Sequence, residues 1–194
     1  MSTTTTTDAT KETWQEREER ECKEFRAKYL PSFFNTMKEK EIDYFTVDFN
    51  GGGDDGCVDD PVYVKDSEIP SWTDIRKEVG ITDKMGWDSP EYDRLTKKAN
   101  ALHRFYLDPD GTGRKYVYAQ MQWDKQRQRY SMDEYIQEFV AMYMSARSID
   151  WYNNEGGSGT FTFENGELHI QGQTYVREED PFEFEESDNK VVKK

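Results

Sequence analysis

The chain has 194 residues, with 26 Lys and Arg against 40 Asp and Glu, for a formal net charge of -14. That length suits one domain, or one domain carrying an insertion, and is enough for a real core. The charge disfavours general affinity for nucleic acid or anionic membranes, and no apolar run approaches the roughly 20 residues of a membrane span. Aromatic residues make up 14 % of the chain; their large buried areas compensate for scarce aliphatic side chains.

Residues 1–12 read as a disordered polar tail without the basic and apolar regions of a secretory signal. Residues 11 to 29 read as a charged helix with Trp14, Glu18, Cys22, Phe25 and Tyr29 on one stripe. Pro31 is expected to start a second, short helix, with Phe33, Phe34 and Met37 facing the core. The two cysteines, Cys22 and Cys57, read as reduced thiols in a soluble cytoplasmic protein. "YFTVDF" alternates, placing Phe45, Val47 and Phe49 on one face and Tyr44, Thr46 and Asp48 on the other: a half-buried strand. The glycine-rich stretch "GGGDDG" turns the chain, and "PVYV" (61 to 64) reads as the return strand.

Residues 65–130 read as an insertion on the core. "PSWTDIRKEVG" and "SPEYDRLTKKANALHRFYL" are helical patterns begun by Ser and Pro signals. "GRKYVYAQMQW" (113 to 123) reads as a strand after the turn "DPDGTG". Ser131 and Glu134 form a capping box ahead of Met132, Tyr135, Ile136, Phe139, Val140 and Tyr143, the core face of an amphipathic helix. In "TFTFENGELHI", Asn165-Gly166 is a two-residue hairpin turn. Counting outward pairs Phe163 with Leu168 and Phe161 with Ile170, and Thr162 with His169 on the opposite face. Residues 177–194 read as an acidic, solvated tail, with seven carboxylates between Glu178 and Asp188.

These elements predict one α+β domain over residues 13–176: a small antiparallel sheet of two glycine-rich hairpins, helices packed on one face, and a mixed central insertion. The pattern resembles an uncharacterised family of small bacterial and phage proteins. A strand ending in G-x-G-D-x-G matches Gly51, Gly53, Asp54 and Gly56. A segment W-x-N-N-x-G-x-x-G leading into a hairpin matches Trp151, Asn153, Asn154, Gly156 and Gly159. The match covers roughly residues 15 to 65 and 131 to 176. The resemblance implies a fold, a candidate site and a phage or mobile-element origin, but no reaction.

The stretch from 50 to 60 admits three functional readings beside that of a solvated turn. Asp54, Asp55, Asp59 and Asp60 are hard oxygen donors for Ca²⁺ or Mg²⁺, with Asp54 and Asp55 the metal candidates. Asn153, Asn154 and Glu155 add oxygens if the two glycine-rich loops meet, which makes a divalent-metal-binding protein or a metal-dependent enzyme the first alternative. The same aspartates also form an acidic recognition surface for a basic partner. A phosphate-binding loop fails, because no Gly-Lys-Ser/Thr follows. "DPDGTGRKYVYA" begins like an EF-hand loop at Asp108, Asp110, Thr112 and Gly113, but Ala119 stands where a bidentate glutamate is needed. His103 and His169 are the two histidines, and neither lies in a zinc-binding spacing. Finally, Arg114, Lys115, Lys125, Arg127 and Arg129 interleave with Tyr116, Tyr118, Trp123 and Tyr130. That pattern suits either single-stranded nucleic acid or an edge strand guarded by charge. The leading expectation is a non-enzymatic acidic interaction protein of a phage or mobile element. It would act in the host cytoplasm on a basic, nucleic-acid-handling protein partner.

Overall fold

The computed structural model describes residues 13–122, 125–147, 149, 151–152, 155–174, 184–187 and 190–193. In chain order these form α1 (Trp14–Glu39), β1 (Tyr44–Gly52), β2 (Asp55–Val58), α2 (Trp72–Val79) and α3 (Pro90–Leu107). They continue with β3 (Tyr116–Ala119), β4 (Gln128–Ser131), α4 (Met132–Ala146), β5 (Gly157–Glu164), β6 (Glu167–Thr174), β7 (Phe184–Ser187) and β8 (Lys190–Lys193).

A capping box starts α1: the Thr13 hydroxyl accepts from the Glu16 N–H, and the Glu16 carboxylate accepts from the Thr13 N–H. The expected break at Pro31 does not occur, and the helix runs through it for 26 residues. Proline removes one helical hydrogen bond. Phe25 and Tyr29 before it and Phe33 and Met37 after it all pack into the same core, and that shared burial keeps both halves in one helix.

Four strands form one antiparallel sheet in the order β2-β1-β5-β6, which establishes the α+β class. Both hairpins close through two-residue turns whose central residues have positive φ: 63° and 72° at Gly53 and Asp54, 49° and 87° at Asn165 and Gly166. This is the conformation of a type I′ turn, which matches the twist of the flanking strands. The return strand after the first turn is therefore β2, starting at Asp55, and not the expected 61 to 64. Of that segment Val62 alone rejoins the sheet, bridging Thr46. Phe49 pairs with Val58, so the Thr46–Val62 bridge leaves one extra residue on the returning side. This bulge falls at Asp59–Pro61, where proline has no N–H to give a ladder.

The second hairpin has the register predicted from its turn: Phe161 opposite Ile170, Thr162 opposite His169, Phe163 opposite Leu168. Phe45, Val47, Phe49, Phe161 and Phe163 are buried against α1 and α4. Phe33 of α1 stacks on Phe139 of α4 with ring centroids 3.8 Å apart. Phe161 meets Phe139 and Tyr143 edge-on at 6.1 and 5.7 Å. Leu168 and Ile170, on the edge strand, are half-buried. The expected capping box at Ser131 and Glu134 starts α4.

The central segment divides in two. Helices α2 and α3, capped by Ser71 and Ser89, enclose a separate cluster of Ile75, Val79, Ile81, Leu95 and Ala99. The strand expected over 113 to 123 is shorter: Thr112–Arg114 is a 3₁₀ turn, and β3 spans Tyr116–Ala119. It pairs with β4, and Val117 and Met121 join the main core. Within the acidic C-terminal stretch, β7 and β8 pair as a separate two-stranded sheet. Among the described residues no helix is long and apolar enough to cross a membrane.

Phe163 touches Phe33, Phe34 and Phe45 and is 3 % exposed. Phe163→Ala is expected to lower unfolding free energy by roughly 3–5 kcal/mol in denaturant titration, through lost transfer energy and the cavity left behind.

Candidate functional site

The two glycine motifs interlock. Gly51 of β1 pairs with Gly157 of β5, so the first turn and the start of β5 lie at one end of the sheet. A Cβ on Gly51 would stand 2.8 Å from the Trp151 carbonyl oxygen and 2.9 Å from Tyr152 Cα. On Gly56 it would meet Tyr152 Cβ at 2.6 Å and the Trp151 ring at 2.8 Å. Gly156, with φ 76°, faces the Gly51 carbonyl so closely that any side chain would collide with it. Trp151 is 5 % exposed and meets Phe49 edge-on at 5.7 Å. Gly159 in turn faces Gly172 across the β5–β6 pair, with the Phe49 ring beside both. The glycines thus let two backbones and an indole approach closely. Asn153 and Asn154 lie outside the described residues; their neighbours Tyr152 and Glu155 are in this junction.

The candidate aspartates divide between the two ends of β2, about 13 Å apart at strand rise. Asp54 and Asp55 occupy the tip, where the Asp55 carboxylate accepts from the Gly56 N–H at 2.8 Å. Asp59 and Asp60 lie beside α4, where the Gln137 side-chain amide donates to the Val58 and Asp59 carbonyls and to the Asp60 carboxylate. Among the described residues no group of three or more His, Cys, Asp and Glu is placed to hold a metal ion.

A surface that no motif signalled emerges on the outward face of the sheet. The alternation that buries Phe45, Val47 and Phe49 turns Tyr44, Thr46, Asp48 and Asn50 outward. The β1–β5 register places Thr160, Thr162 and Glu164 beside them. Glu167, His169 and Gln171 follow on β6, and Cys57 and Asp55 on β2. Thr160 donates to the Asp48 carboxylate at 2.6 Å, and Thr46 and Thr162 lie within hydrogen-bond distance of each other. None of the four strands contains a lysine or arginine. Lys65, from outside the sheet, ion-pairs with Glu164 at 2.6 Å, and that hydrogen bond holds its ammonium above the usual lysine pKa. Asp48 and Asp55 are further acidic groups of this face, as is Glu167, whose carboxylate lies 3.6 Å from His169 Nε2.

The basic-aromatic segment forms the β3–β4 hairpin. Tyr116 and Tyr118 point outward, 51 % and 60 % exposed. The Arg129 guanidinium lies 3.9 Å from the Tyr116 ring centre and that of Arg127 5.6 Å from the Tyr118 ring. Lys115 is spent on the α1 C-terminus, donating to the Lys40 carbonyl at 2.7 Å. Arg114 lines a cleft with Arg104, and Trp123 lies outside the described residues. His103 packs edge-on against Trp72.

That cleft, about 700 Å³, lies between the C-terminal end of α3 with its following turn and Asp60, Pro61 and Asp133. At its wall the Tyr63 hydroxyl donates to the Asp133 carboxylate at 2.7 Å, and the Tyr63 N–H donates to the Leu107 carbonyl. Asp108 accepts from the N–H groups of Thr112 and Gly113, which spends on the turn the oxygens that an EF-hand-like loop would offer a cation. Burial raises the Asp133 pKa above the ordinary 3.8, the Tyr63 hydrogen bond opposes this, and Asp60 and Asp108 add to the rise. Burial likewise pushes the Tyr63 hydroxyl far above the usual tyrosine range.

Compared with family models, with curated proteins and with solved structures, the chain matches none.

Gly156→Ala is expected to destabilise the fold by at least about 2 kcal/mol, since it meets both a left-handed φ and a backbone collision. Loss of the near-ultraviolet dichroism of Trp151 would report the displaced junction. For Asp133, a raised pKa in the folded state means that its ionised form opposes folding. Its contribution is most favourable below the unfolded-state pKa and is lost as pH rises through the folded-state value. The stability of wild type relative to Asp133→Asn should therefore increase as pH falls through that window and stay level above it. Matched thermal melts from neutral to acidic pH check this.

Proposed function

We infer that the protein is a non-enzymatic interaction module whose outward sheet face receives a basic, nucleic-acid-handling protein partner. One observation carries this reading. Four strands contain no lysine or arginine, while their carboxylates at Asp48, Asp55, Glu164 and Glu167 all sit on the face turned away from the core. An antiparallel sheet is satisfied with one face on a core and the other in water. Such a face needs no uniform sign of charge. Segregated charge instead steers an oppositely charged partner and penalises wrong ones. Asp54 and Asp59 flank the face at the two ends of β2 and extend its field. The resemblance of the two glycine motifs supports placement in a phage or other mobile element, acting in the host cytoplasm.

The test uses the immobilised full-length chain and a fourfold variant, Asp48→Asn, Asp55→Asn, Glu164→Gln and Glu167→Gln, against host lysate. A basic protein retained by wild type should crosslink to the sheet face and be released as salt rises. Its association rate should fall about tenfold or more in the variant, with thermal melting unchanged. Equal retention and equal rates for both chains would overturn the assignment.

A further inference from the structure

The β3–β4 hairpin is a second surface, of opposite character to the sheet face. Its inner side is anchored: Val117 is buried in the main core, and the Gln122 N–H donates to the Met142 sulfur. Its outer side carries two tyrosines at alternate positions of one strand, about 6.8 Å apart, each with an arginine over its ring. The cross-strand register produces this pairing. Tyr118 lies opposite Arg129 and Ala119 opposite Gln128, so each guanidinium reaches diagonally to a ring on the other strand. The Arg127 Nε–H also donates to the Tyr118 carbonyl at 3.2 Å, which holds that guanidinium in place. Among the described residues neither arginine forms an ion pair with a carboxylate. The charges are therefore held over the rings, and among the described residues neither guanidinium is neutralised by a carboxylate.

We propose that this ladder binds a short stretch of single-stranded nucleic acid: Tyr116 and Tyr118 stack on two bases, and Arg127 and Arg129 contact the flanking phosphates. Guanidiniums alone would suit any anion, including an acidic protein segment. The exposed rings decide between them, because a base covers an aromatic face and an acidic side chain does not. A duplex hides its base faces and cannot use the rings. The net charge of -14 opposes a long polyanion, so binding is confined to this patch and is favoured at low salt. With two phosphates neutralised, the dependence of log affinity on log salt should have a slope of about -1.4.

Fluorescence anisotropy of the full chain with short labelled oligothymidylate, oligouridylate and a duplex of equal length tests the idea. At least one single strand should bind more tightly than the duplex. The double variant Tyr116→Ala/Tyr118→Ala should weaken binding by at least about tenfold. Tyr116→Phe/Tyr118→Phe, which keeps the rings, should preserve it, and Arg127→Gln/Arg129→Gln should flatten the salt slope. All these positions are on the exposed side of the hairpin, so unchanged circular dichroism is expected of every variant. The proposal is overturned by absence of binding to both single strands at low salt, or by affinity unaffected by ring removal. Displacement of the oligonucleotide by poly-glutamate at equal charge would also overturn it and assign the ladder to an acidic protein segment.

Discussion

The antiparallel pairing of β1 with β5 is the constraint on which the rest depends. It joins two local hairpins, separated by 98 residues of chain (59–156), into one four-stranded sheet. Its register decides two faces at once. Phe45 opposite Phe163 and Val47 opposite Phe161 put the apolar set on the helices, and the same choice puts Asp48 beside Thr160 in water. A slip by one residue would exchange the faces, burying carboxylates and exposing phenylalanines. The core and the acidic surface are therefore two consequences of one ladder.

Behind that sheet the core is built mainly from rings. Phe33 lies flat on Phe139 and meets Phe45 and Phe163 edge-on, so one residue of α1 touches both α4 and the two central strands. Rings carry large buried areas and geometric preference together. This is how a chain with 34 % hydrophobic residues encloses a core. The same continuity explains why α1 tolerates Pro31. One absent hydrogen bond is small beside the burial of Phe25, Phe33 and Met37 on a single stripe.

The glycine motifs have a packing role. Gly51, Gly56 and Gly156 leave room for the Trp151 segment at the end of the sheet, and Gly159 leaves room for Phe49. Their aspartate neighbours are left at the tip, with Asp54 and Asp55, and beside α4, with Asp59 and Asp60. Charge is thus segregated by architecture. The four-stranded sheet carries acids without lysine or arginine, and the β3–β4 hairpin carries guanidiniums over tyrosine rings.

Features set by neighbours in the chain were legible in the amino-acid sequence. Asn165-Gly166 determined a hairpin and its register, because a two-residue turn leaves no freedom in the count. Ser131 and Glu134 determined where α4 begins, and the 3.6-residue spacing of Ile136, Phe139, Val140 and Tyr143 determined its buried face. The alternation from Tyr44 to Phe49 determined a strand with one apolar side. The tertiary structure alone decided which strand lies beside which, since no local pattern distinguishes β5 from β2 or β6 as a partner of β1. It also decided that Pro31 stays inside a helix and that Gly56 sits under the Trp151 indole. The return at Asp55 instead of Pro61 follows from the two-residue Gly53-Asp54 turn. The strand order, the unbroken helix through Pro31 and the seat of Trp151 over Gly56 are settled by burial between residues distant in sequence, where the energy of packing exceeds the local preference that the sequence displays.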